Sequence, residues 1–173
     1  MNVNIKRLSV DATTPTYAHS TDACFDLYAA GDVIIEPGET ALVPTGLAFE
    51  IPSGYEMQIR PRSGITLKTH LRVQLGTVDS GYAGEVGVVV DNKDWNSKRY
   101  GCHMLDVTGA YVPLIGDYGW NEGFPLGTYV IRKGDRIAQA VIKPVEQATF
   151  TIVDALKETE RGSGGFGSSG VGK

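Results

Sequence analysis

Short apolar runs alternate with turn residues along most of the chain. The turns contain pairs such as Gly31-Asp32, Pro37-Gly38 and Thr45-Gly46. Closely spaced short strands separated by Gly and Pro turns are typical of a β-sandwich or barrel. We therefore predict an all-β fold with one short helix near residues 66–70. The predicted strands are residues 3–8, 26–29, 33–35, 40–43, 47–51, 55–60, 86–90, 128–132 and 137–145.

Two segments depart from this pattern. Residues 95–124 are rich in Gly, Tyr and Trp and have no clean period. The segment is too long for an ordinary hairpin connection, which predicts an inserted lobe or long hairpin. From Glu158 the chain is polar and then Gly/Ser-rich, with too little apolar surface to fold on itself. We expect a β-domain over residues 1–156 that contains the insertion, and a flexible arm over residues 157–173.

Composition limits the classes of function. The chain has 173 residues, which favours one domain, and its net charge of −4 provides no overall basic field for nucleic acid. A polyanionic ligand would therefore need a locally basic pocket and a metal ion. Cys24 and Cys102 form neither a disulfide framework nor a zinc spacing. The N-terminus lacks the apolar core of a signal peptide, and we expect a cytoplasmic protein without a membrane partner.

The Gly/Ser-rich tail is a candidate for binding phosphate. Glycine lets backbone N–H groups approach phosphate oxygens, and serine hydroxyls donate hydrogen bonds to them. Arg161 can bind phosphate with two donors, and Phe166 can stack on a base. The same composition is also typical of a solubilising tail or linker, and the tail alone leaves both interpretations open.

A second candidate is the turn at residues 60–64. Pro61 fixes the direction of the chain, Gly64 permits a tight backbone, and Arg62 and Ser63 supply donors. The segment suits a phosphate cradle and equally a basic surface turn.

A third candidate lies at residues 76–84. The sequence Asp79-Ser80-Gly81 predicts the turn of a β-hairpin whose arms are residues 73–78 and 86–90. Backbone groups of such a hairpin can bind a small planar base, with Tyr82 against a sugar. Alternatively, Asp79 only accepts hydrogen bonds within the turn and Tyr82 belongs to the core.

Asp26 is an acidic residue within an apolar run. It suits a buried structural acceptor, a residue that contacts a ligand of a metal without binding the metal itself, or a metal-binding carboxylate. The three histidines, His19, His70 and His103, do not fall at metal-ligand spacings, and we expect them on the surface or in loops.

Together these segments resemble the trimeric dUTPase family. They follow the order of the family's motifs and read TDACFDLYAA, RPRSGI, GTVDSGYAGEVGVVV and RGSGGFGSSG. The segment GDRIAQAVIKPV at residues 134–145 resembles a further motif of the family. The agreement covers residues 1 to about 92 and about 127 to 170. Five motifs in order are far more specific than any one of them, and they favour the functional interpretation of each segment.

The resemblance implies a jelly-roll-like β-sandwich or distorted barrel that forms a homotrimer, with each active site built from three subunits. It implies hydrolysis of dUTP to dUMP and pyrophosphate by attack of water on the α-phosphate, with Mg²⁺. That reaction keeps uracil out of DNA and supplies dUMP for dTMP synthesis. The implied partners are dUTP and further copies of the chain, without direct binding of nucleic acid.

The resemblance also implies roles for individual residues on the predicted hairpin. Asp79 resembles the acid that activates the attacking water. Tyr82 resembles the residue under the deoxyribose that excludes a ribose 2′-OH. Gly76 and Gly87 resemble the positions on the two arms whose backbone binds uracil.

Other residues resemble the family's phosphate and metal groups. Gln139 matches a glutamine near the phosphates, and Asp26 matches an acid that acts on Mg²⁺ through water. The matching phosphate binders are Arg62, Ser63 and Gly64. The matching residues of the closing tail are Arg161, Phe166, Gly167 and Ser168, with Phe166 over the uracil.

The chain departs from the family pattern at a few positions. Cys24 and Phe25 stand where Gly and Tyr are usual, and Ser169 stands where Thr is common. Residues 95–124 have no counterpart in the minimal family enzyme. Some phage members carry an insertion here, so we expect a phage or prophage type. Since the motifs are complete without it, we expect catalysis not to need it.

The aromatic residues of the insertion leave two interpretations open. They suit an interface for a regulatory protein partner, because aromatic anchors are enriched in interfaces. They equally suit a small core packed on the body of the enzyme itself.

The closest alternative function is that of dCTP deaminase, which shares the fold. That family has Arg-Ser-Ser in place of Arg62-Ser63-Gly64, and a catalytic Glu where this chain has Val89. Valine cannot transfer protons. A regulatory binding protein is an alternative of another class, and it is compatible with catalysis.

Overall fold

The computed structural model describes residues 1–95, 99–113 and 123–165, and strands dominate it. The predicted all-β class is confirmed. The elements are β1 Asn4–Arg7, β2 Phe25–Tyr28, β3 Val33–Ile35, β4 Thr40–Pro44, β5 Leu47–Glu50, β6 Tyr55–Arg60, α1 Ser63–Lys68, β7 Leu71–Val73, β8 Gly76–Asp79, β9 Gly87–Asn92, β10 Tyr100–Gly101, β11 His103–Leu105, β12 Tyr111–Pro113, β13 Phe124–Pro125, β14 Tyr129–Ile131 and β15 Arg136–Pro144.

Three larger sheets enclose one hydrophobic core. Their strand orders are β2-β15-β6-β8, β4-β9-β7 and β12-β11-β14-β3, and β1-β5 and β10-β13 form two-stranded pairs. Leu27, Val43 and Ile35 come from different sheets and are fully buried in the same cluster. Alternate residues of β6, such as Met57 and Ile59, point into this core because side chains alternate between the faces of a strand.

The two arms of the predicted hairpin belong to different sheets. Residues 73–78 divide between β7 and β8, with β8 paired to β6, whereas β9 pairs with β4 and β7. The predicted pairing of the arms is therefore present only at their base, where Val73 of β7 pairs with Val90 of β9, and it is absent between β8 and β9, although the turn between them is present. The reason is that β6 and β4 offer both arms longer ladders and let Val78, Val88 and Val90 reach the core. The arms consequently diverge and leave a gap between them.

The described part of the insertion packs on the body. Its strands β11 and β12 form an antiparallel hairpin, and β11 continues the main sheet by pairing with β14 in parallel. Met104 of β11 is buried against Val130 of β14, with Val112 and Phe124 around them. This is the small core that was one of the two alternatives, although Trp95 and Tyr111 remain exposed.

No helix in residues 1–95, 99–113 and 123–165 has the length and apolar character needed to cross a bilayer.

A buried carboxylate joins strands of the β4-β9-β7 sheet. Asp91 on β9 accepts hydrogen bonds from Thr40 Oγ1 at 2.8 Å and from the amide of Gln74, and Lys93 Nζ lies 2.7 Å away. The hydrogen bond from Lys93, followed by that from Thr40, lowers the pKa of Asp91 despite its burial. The ionised form is therefore favoured in the folded state.

This shift predicts an acid-sensitive contribution to stability. Because the folded state lowers the pKa of Asp91, the contribution is present above the ordinary value of 3.8 and is lost as pH falls through the lower folded value. We expect Asp91→Asn to reduce the free energy of unfolding at pH 7 and to flatten its decline below about pH 4. Urea unfolding at fixed protein concentration measures both effects. Asp154→Asn, at an exposed position, is the matched control. Equal pH slopes for Asp91→Asn and wild type would contradict the assignment.

Candidate functional site

The first of two polar pockets, here called the Asp26 pocket, gathers residues from three distant segments. Strand pairing explains the assembly, because Gln139 on β15 lies opposite Asp26 on β2 and Arg60 on β6. The ladder brings the ends of these segments together at one edge of the sheet. The lining residues are Ala18, Asp22, Ala23, Cys24, Asp26, Arg62, Ser63, Gly64 and Gln139.

Asp26 fixes the basic side chains of this pocket. The residue is 8% exposed, and its carboxylate lies 2.9 Å from Arg62 Nε and 3.4 Å from Arg136 Nη1. Arg62 also donates to the backbone oxygen of Arg136 at 3.1 Å. Asp26 is therefore a largely buried acceptor for these two basic side chains. Two guanidinium groups on one carboxylate leave excess positive charge for an anionic ligand.

Helix α1 begins beside Arg62. Ser63 and Gly64, exposed at its start, line the pocket. The first backbone N–H groups of a helix have no acceptor within it, so they favour anions. The helix lies earlier than the predicted residues 66–70 because Ile65 anchors it in the core and Thr69 returns to an extended conformation. The Thr69 hydroxyl closes the end by donating to the oxygen of Ile65 at 2.7 Å.

Gln139 supports the loop that carries Arg62. Its amide nitrogen donates to the backbone oxygen of Pro61 at 2.9 Å. The contact fixes the turn that precedes α1, and the side chain lines the Asp26 pocket.

The second pocket, here called the Asp79 pocket, lies in the gap between the diverging arms. Tyr82 N donates to Asp79 O at 3.0 Å and closes the turn. The Tyr82 hydroxyl donates to the oxygen of Glu85 at 2.9 Å, and its ring is half exposed, which excludes a core position. The lining residues are Leu42, Ile59, Gly76, Thr77, Val78, Asp79, Tyr82, Glu85, Val86 and Gly87.

The two glycines keep the backbone of this gap accessible. A methyl group at Gly87 would lie 2.5 Å from Leu42 Cδ1, and one at Gly76 would lie 3.3 Å from Ile59 Cδ1. Side chains here would push against the walls of the pocket. Since β8 is the edge strand of its sheet, one of its backbone edges is free to face a ligand.

Sequence reasoning missed Glu85, which lines the Asp79 pocket, and Arg136, which contacts Asp26 without lining its pocket. Arg136 contacts Asp26, and its only signal is its position at the start of the motif at residues 134–145. Glu85 accepts a hydrogen bond from Gly46 N at 2.8 Å and fixes the second arm, and its signal is an acid between Gly84 and Val86.

The predicted site residues do not meet in one place within one chain. The linings of the Asp26 and Asp79 pockets share no residue, and Arg161 lines neither of them. Arg161 Nε instead donates to Gly164 O at 2.8 Å in a local turn. Phe166, Gly167 and Ser168 lie outside the described residues. Within the described ranges, no group of His, Cys, Asp or Glu could hold a metal ion by itself.

Comparison with known proteins agrees with this architecture. The model of the family described as dUTPase matches residues 10–97 and 127–170. The deoxyuridine 5'-triphosphate nucleotidohydrolase of Nautilia profundicola is 44% identical over 172 residues, covering 98% of this chain and 99% of that protein.

Two solved structures are also similar. The Staphylococcus bacteriophage 80alpha dUTPase with dUPNHPP has a TM-score of 0.90 and 35% identity, covering 98% of this chain and 99% of that chain. It is presented with the finding that phage dUTPases control transfer of virulence genes by a proto-oncogenic G protein-like mechanism. A mutant dUTPase from phage phi11 of S. aureus has a TM-score of 0.84 and 31% identity, covering 91% of this chain and 100% of that chain. That structure reveals the coordination of a structural Mg(II) ion.

The fold and its two polar pockets are those of an all-β enzyme of the jelly-roll-like sandwich class. Both the family match and the full-length relative lead to a more specific assignment. This chain belongs to the dUTPase family.

The comparisons also bear on the insertion. The two matched parts of the family model leave residues 98–126 outside the match, close to the predicted insertion at 95–124. The bacterial relative nevertheless aligns over nearly the whole of both chains. The insertion is therefore additional to the family core, and its presence does not by itself distinguish a phage protein from a bacterial one.

Proposed function

We propose that this chain hydrolyses dUTP to dUMP and pyrophosphate by attack of water on the α-phosphate. The observation that carries the proposal is the division of the family's motif residues between two complementary pockets. The Asp79 pocket offers a carboxylate, an aromatic ring and free backbone, and the Asp26 pocket offers basic donors. The reaction keeps uracil out of DNA and supplies dUMP for dTMP synthesis.

The Asp79 pocket suits the nucleoside and the attacking water. Backbone edges at Gly76 and Gly87 can hydrogen-bond a uracil, and an unpaired polar group left by another base would penalise it. The Tyr82 ring, held by its hydroxyl on Glu85, supports the deoxyribose. The Asp79 carboxylate accepts the proton of the water as its oxygen attacks, which is general-base catalysis.

The Asp26 pocket suits the triphosphate. Arg62 is oriented by Asp26, and Ser63 and Gly64 add donors at the start of α1. Gln139 keeps the preceding turn in place through Pro61. These preorganised donors stabilise the negative charge that increases in the transition state, and they offset the repulsion of a protein whose net charge is −4.

The donor set fits Mg²⁺ that is held largely by the substrate. The oxygens of Asp26 already face Arg62 and Arg136, so this carboxylate would act on a bound ion through water. Mg²⁺ usually keeps several waters and binds one or two carboxylates together with phosphates. When bound, the ion polarises the phosphate oxygens and orients the phosphate chain.

The separation of the pockets supports a homotrimer with shared active sites. A complete site then takes the Asp79 pocket from one subunit and the Asp26 pocket from another. After β15, the apolar side chains of Phe150, Ile152 and Leu156 are almost fully exposed in the single chain. Their burial on a neighbouring copy would favour assembly and carry the arm at residues 157–173, with Arg161, Phe166, Gly167 and Ser168, to a third subunit's site.

The exposed aromatics at the insertion support a second role as a contact surface of the phage type. Trp95 is 90% exposed, and Tyr100 and Tyr111 are also largely exposed. Exposed aromatic side chains of this kind anchor protein interfaces. A regulatory protein is the partner that this surface suits.

The proposed reaction is tested by release of pyrophosphate from dUTP, dCTP, dTTP and UTP with Mg²⁺. We expect dUTP to be strongly preferred, and Asp79→Asn to lower kcat by at least about 100-fold while dUTP still binds. The amide keeps the size of the side chain but cannot accept the proton. Release of ammonia from dCTP would instead support the deaminase alternative, and normal turnover by Asp79→Asn would remove Asp79 as the base.

The sugar selectivity is tested with Tyr82→Ala. A ring against C2′ leaves no room for a hydroxyl, so its removal should lower the ratio of kcat/KM for dUTP over UTP by about tenfold or more. Glu85→Gln, which retains the backbone oxygen that the tyrosine contacts, is the control. An unchanged ratio in Tyr82→Ala would show that the selectivity arises elsewhere.

Shared sites are tested by complementation. Asp79→Asn and Arg62→Ala alter different pockets, and each should be nearly inactive alone. In trimers assembled at random from equal amounts of both, about one quarter of all sites, and about one third of the sites in mixed trimers, would combine an intact Asp79 with an intact Arg62. Coexpression with two affinity tags isolates the mixed trimers for assay. Mixed trimers as inactive as the two parents would contradict a site shared between subunits.

A further inference from the structure

Helix α1 depends on contacts at its ends. It has six residues, of which Ile65 is buried. A helix of this length is marginal in isolation, so tertiary contacts must hold it in place. Its first residues, Ser63 and Gly64, line the Asp26 pocket, and a small shift of the helix would move both.

The tip of the inserted hairpin touches the far end of this helix. The turn between β11 and β12 contains Gly109, which is half-buried and has a φ of +81°. A methyl group at Gly109 would lie 2.7 Å from the backbone oxygen of Lys68, the last residue of α1. Backbone therefore packs on backbone here, and neither side can rotate away as a flexible side chain would.

The turn is internally rigid. Asp106 Oδ1 accepts hydrogen bonds from Thr108 N at 2.8 Å, Thr108 Oγ1 at 2.7 Å and Ala110 N at 3.0 Å. Burial acts to raise the pKa of Asp106, but these hydrogen bonds lower it overall. Val107 in the same turn packs against the main core. The tip is thus fixed both to itself and to the body.

The flanks of the insertion hold the residues that follow α1. His70 Nδ1 lies 3.2 Å from Asp94 Oδ2, just before the insertion. The backbone N–H of His70 donates to the Tyr129 hydroxyl at 3.1 Å, just after the insertion. Lys68 at the end of α1 is therefore contacted from the tip, and His70 is contacted from both flanks.

We propose that the inserted hairpin positions the phosphate site, with Gly109 as a positioning residue that fixes the end of α1 opposite Ser63 and Gly64. The inference rests on the proposed role of the Asp26 pocket. It opposes the expectation from the motifs alone that catalysis does not need residues 95–124. Because the contact acts on the helix whose first residues line the Asp26 pocket, its distortion weakens binding of phosphate groups and leaves binding of the nucleoside unchanged.

The test compares Gly109→Ala with Gly38→Ala. Both glycines have a φ of +81°, but nothing lies within 4 Å of a methyl group at Gly38. The two variants therefore share the backbone strain and differ in the contact with Lys68. Competition with dUTP, with Mg²⁺ present, gives the inhibition constants of pyrophosphate and of deoxyuridine. We expect Gly109→Ala to raise the inhibition constant of pyrophosphate by about fivefold or more and to change that of deoxyuridine by less than about twofold. Gly38→Ala should change neither constant.

A second variant pair covers the case in which Gly109→Ala does not fold. Asp106→Ala removes the acceptor that stiffens the turn, whereas Asp106→Asn retains a side-chain oxygen. We expect the Ala variant to weaken pyrophosphate selectively and the Asn variant to behave as wild type. Equal weakening of both inhibitors, or no weakening of pyrophosphate in a folded variant, would overturn the proposal.

Hydrogen exchange separates this inference from the proposed function. Amide exchange in residues 63–70 should be faster in Gly109→Ala than in Gly38→Ala, and this readout does not require activity. If the wild-type protein does not hydrolyse dUTP, the proposed function fails, while the difference in exchange still tests whether the contact of Gly109 with Lys68 fixes α1. Unchanged exchange in residues 63–70 would overturn the positioning of α1 by Gly109 even in an active enzyme.

Discussion

The arrangement of the Asp26 pocket depends on one buried carboxylate and its pairing with arginine. The ionised side chain of Asp26, a residue only 8% exposed, is costly unless charged donors surround it. Arg62, at 2.9 Å, and Arg136, at 3.4 Å, fulfil this requirement. Asp26 lies on β2, Arg136 begins β15 and Arg62 precedes α1, so satisfying one carboxylate joins three segments. The same pairing orients the guanidinium of Arg62 and leaves excess positive charge, which is what a triphosphate site needs.

The division of the site follows from how the strands pair. Since β8 pairs with β6 and β9 pairs with β4 and β7, the arms around Asp79 open instead of closing on each other. The gap exposes backbone for a base, but it lies apart from the basic donors around Asp26. A chemistry that needs both pockets therefore favours an assembly of several copies. Burial of the exposed apolar residues after β15 would supply a driving force for that assembly.

Local pattern predicted most of the fold, because each strand has its own alternation and its own turns. The all-β class and the positions of most strands needed no partner information. The pairing of β8 and β9 was not predictable in this way, since it depends on which distant strand offers the longer ladder. Arg136 and Glu85 were missed for a similar reason, because their roles lie in contacts with Asp26 and Gly46, far away in sequence. The helix lies earlier than predicted because burial of Ile65 outweighs local propensity.

All five family motifs lie outside the insertion, but the rest of the chain is not structurally independent of the insertion. Its strand β11 continues the sheet of β14 and β3, and Met104 covers Val130 of the body. A segment that shares a sheet and a small core with the body moves together with it, because close-packed interiors transmit displacement. The contact of Gly109 with the end of α1 then extends this mechanical link to Ser63 and Gly64. A partner that bound the exposed aromatic side chains and bent the hairpin would therefore act on phosphate binding, and by linkage bound phosphate would act on the partner's affinity.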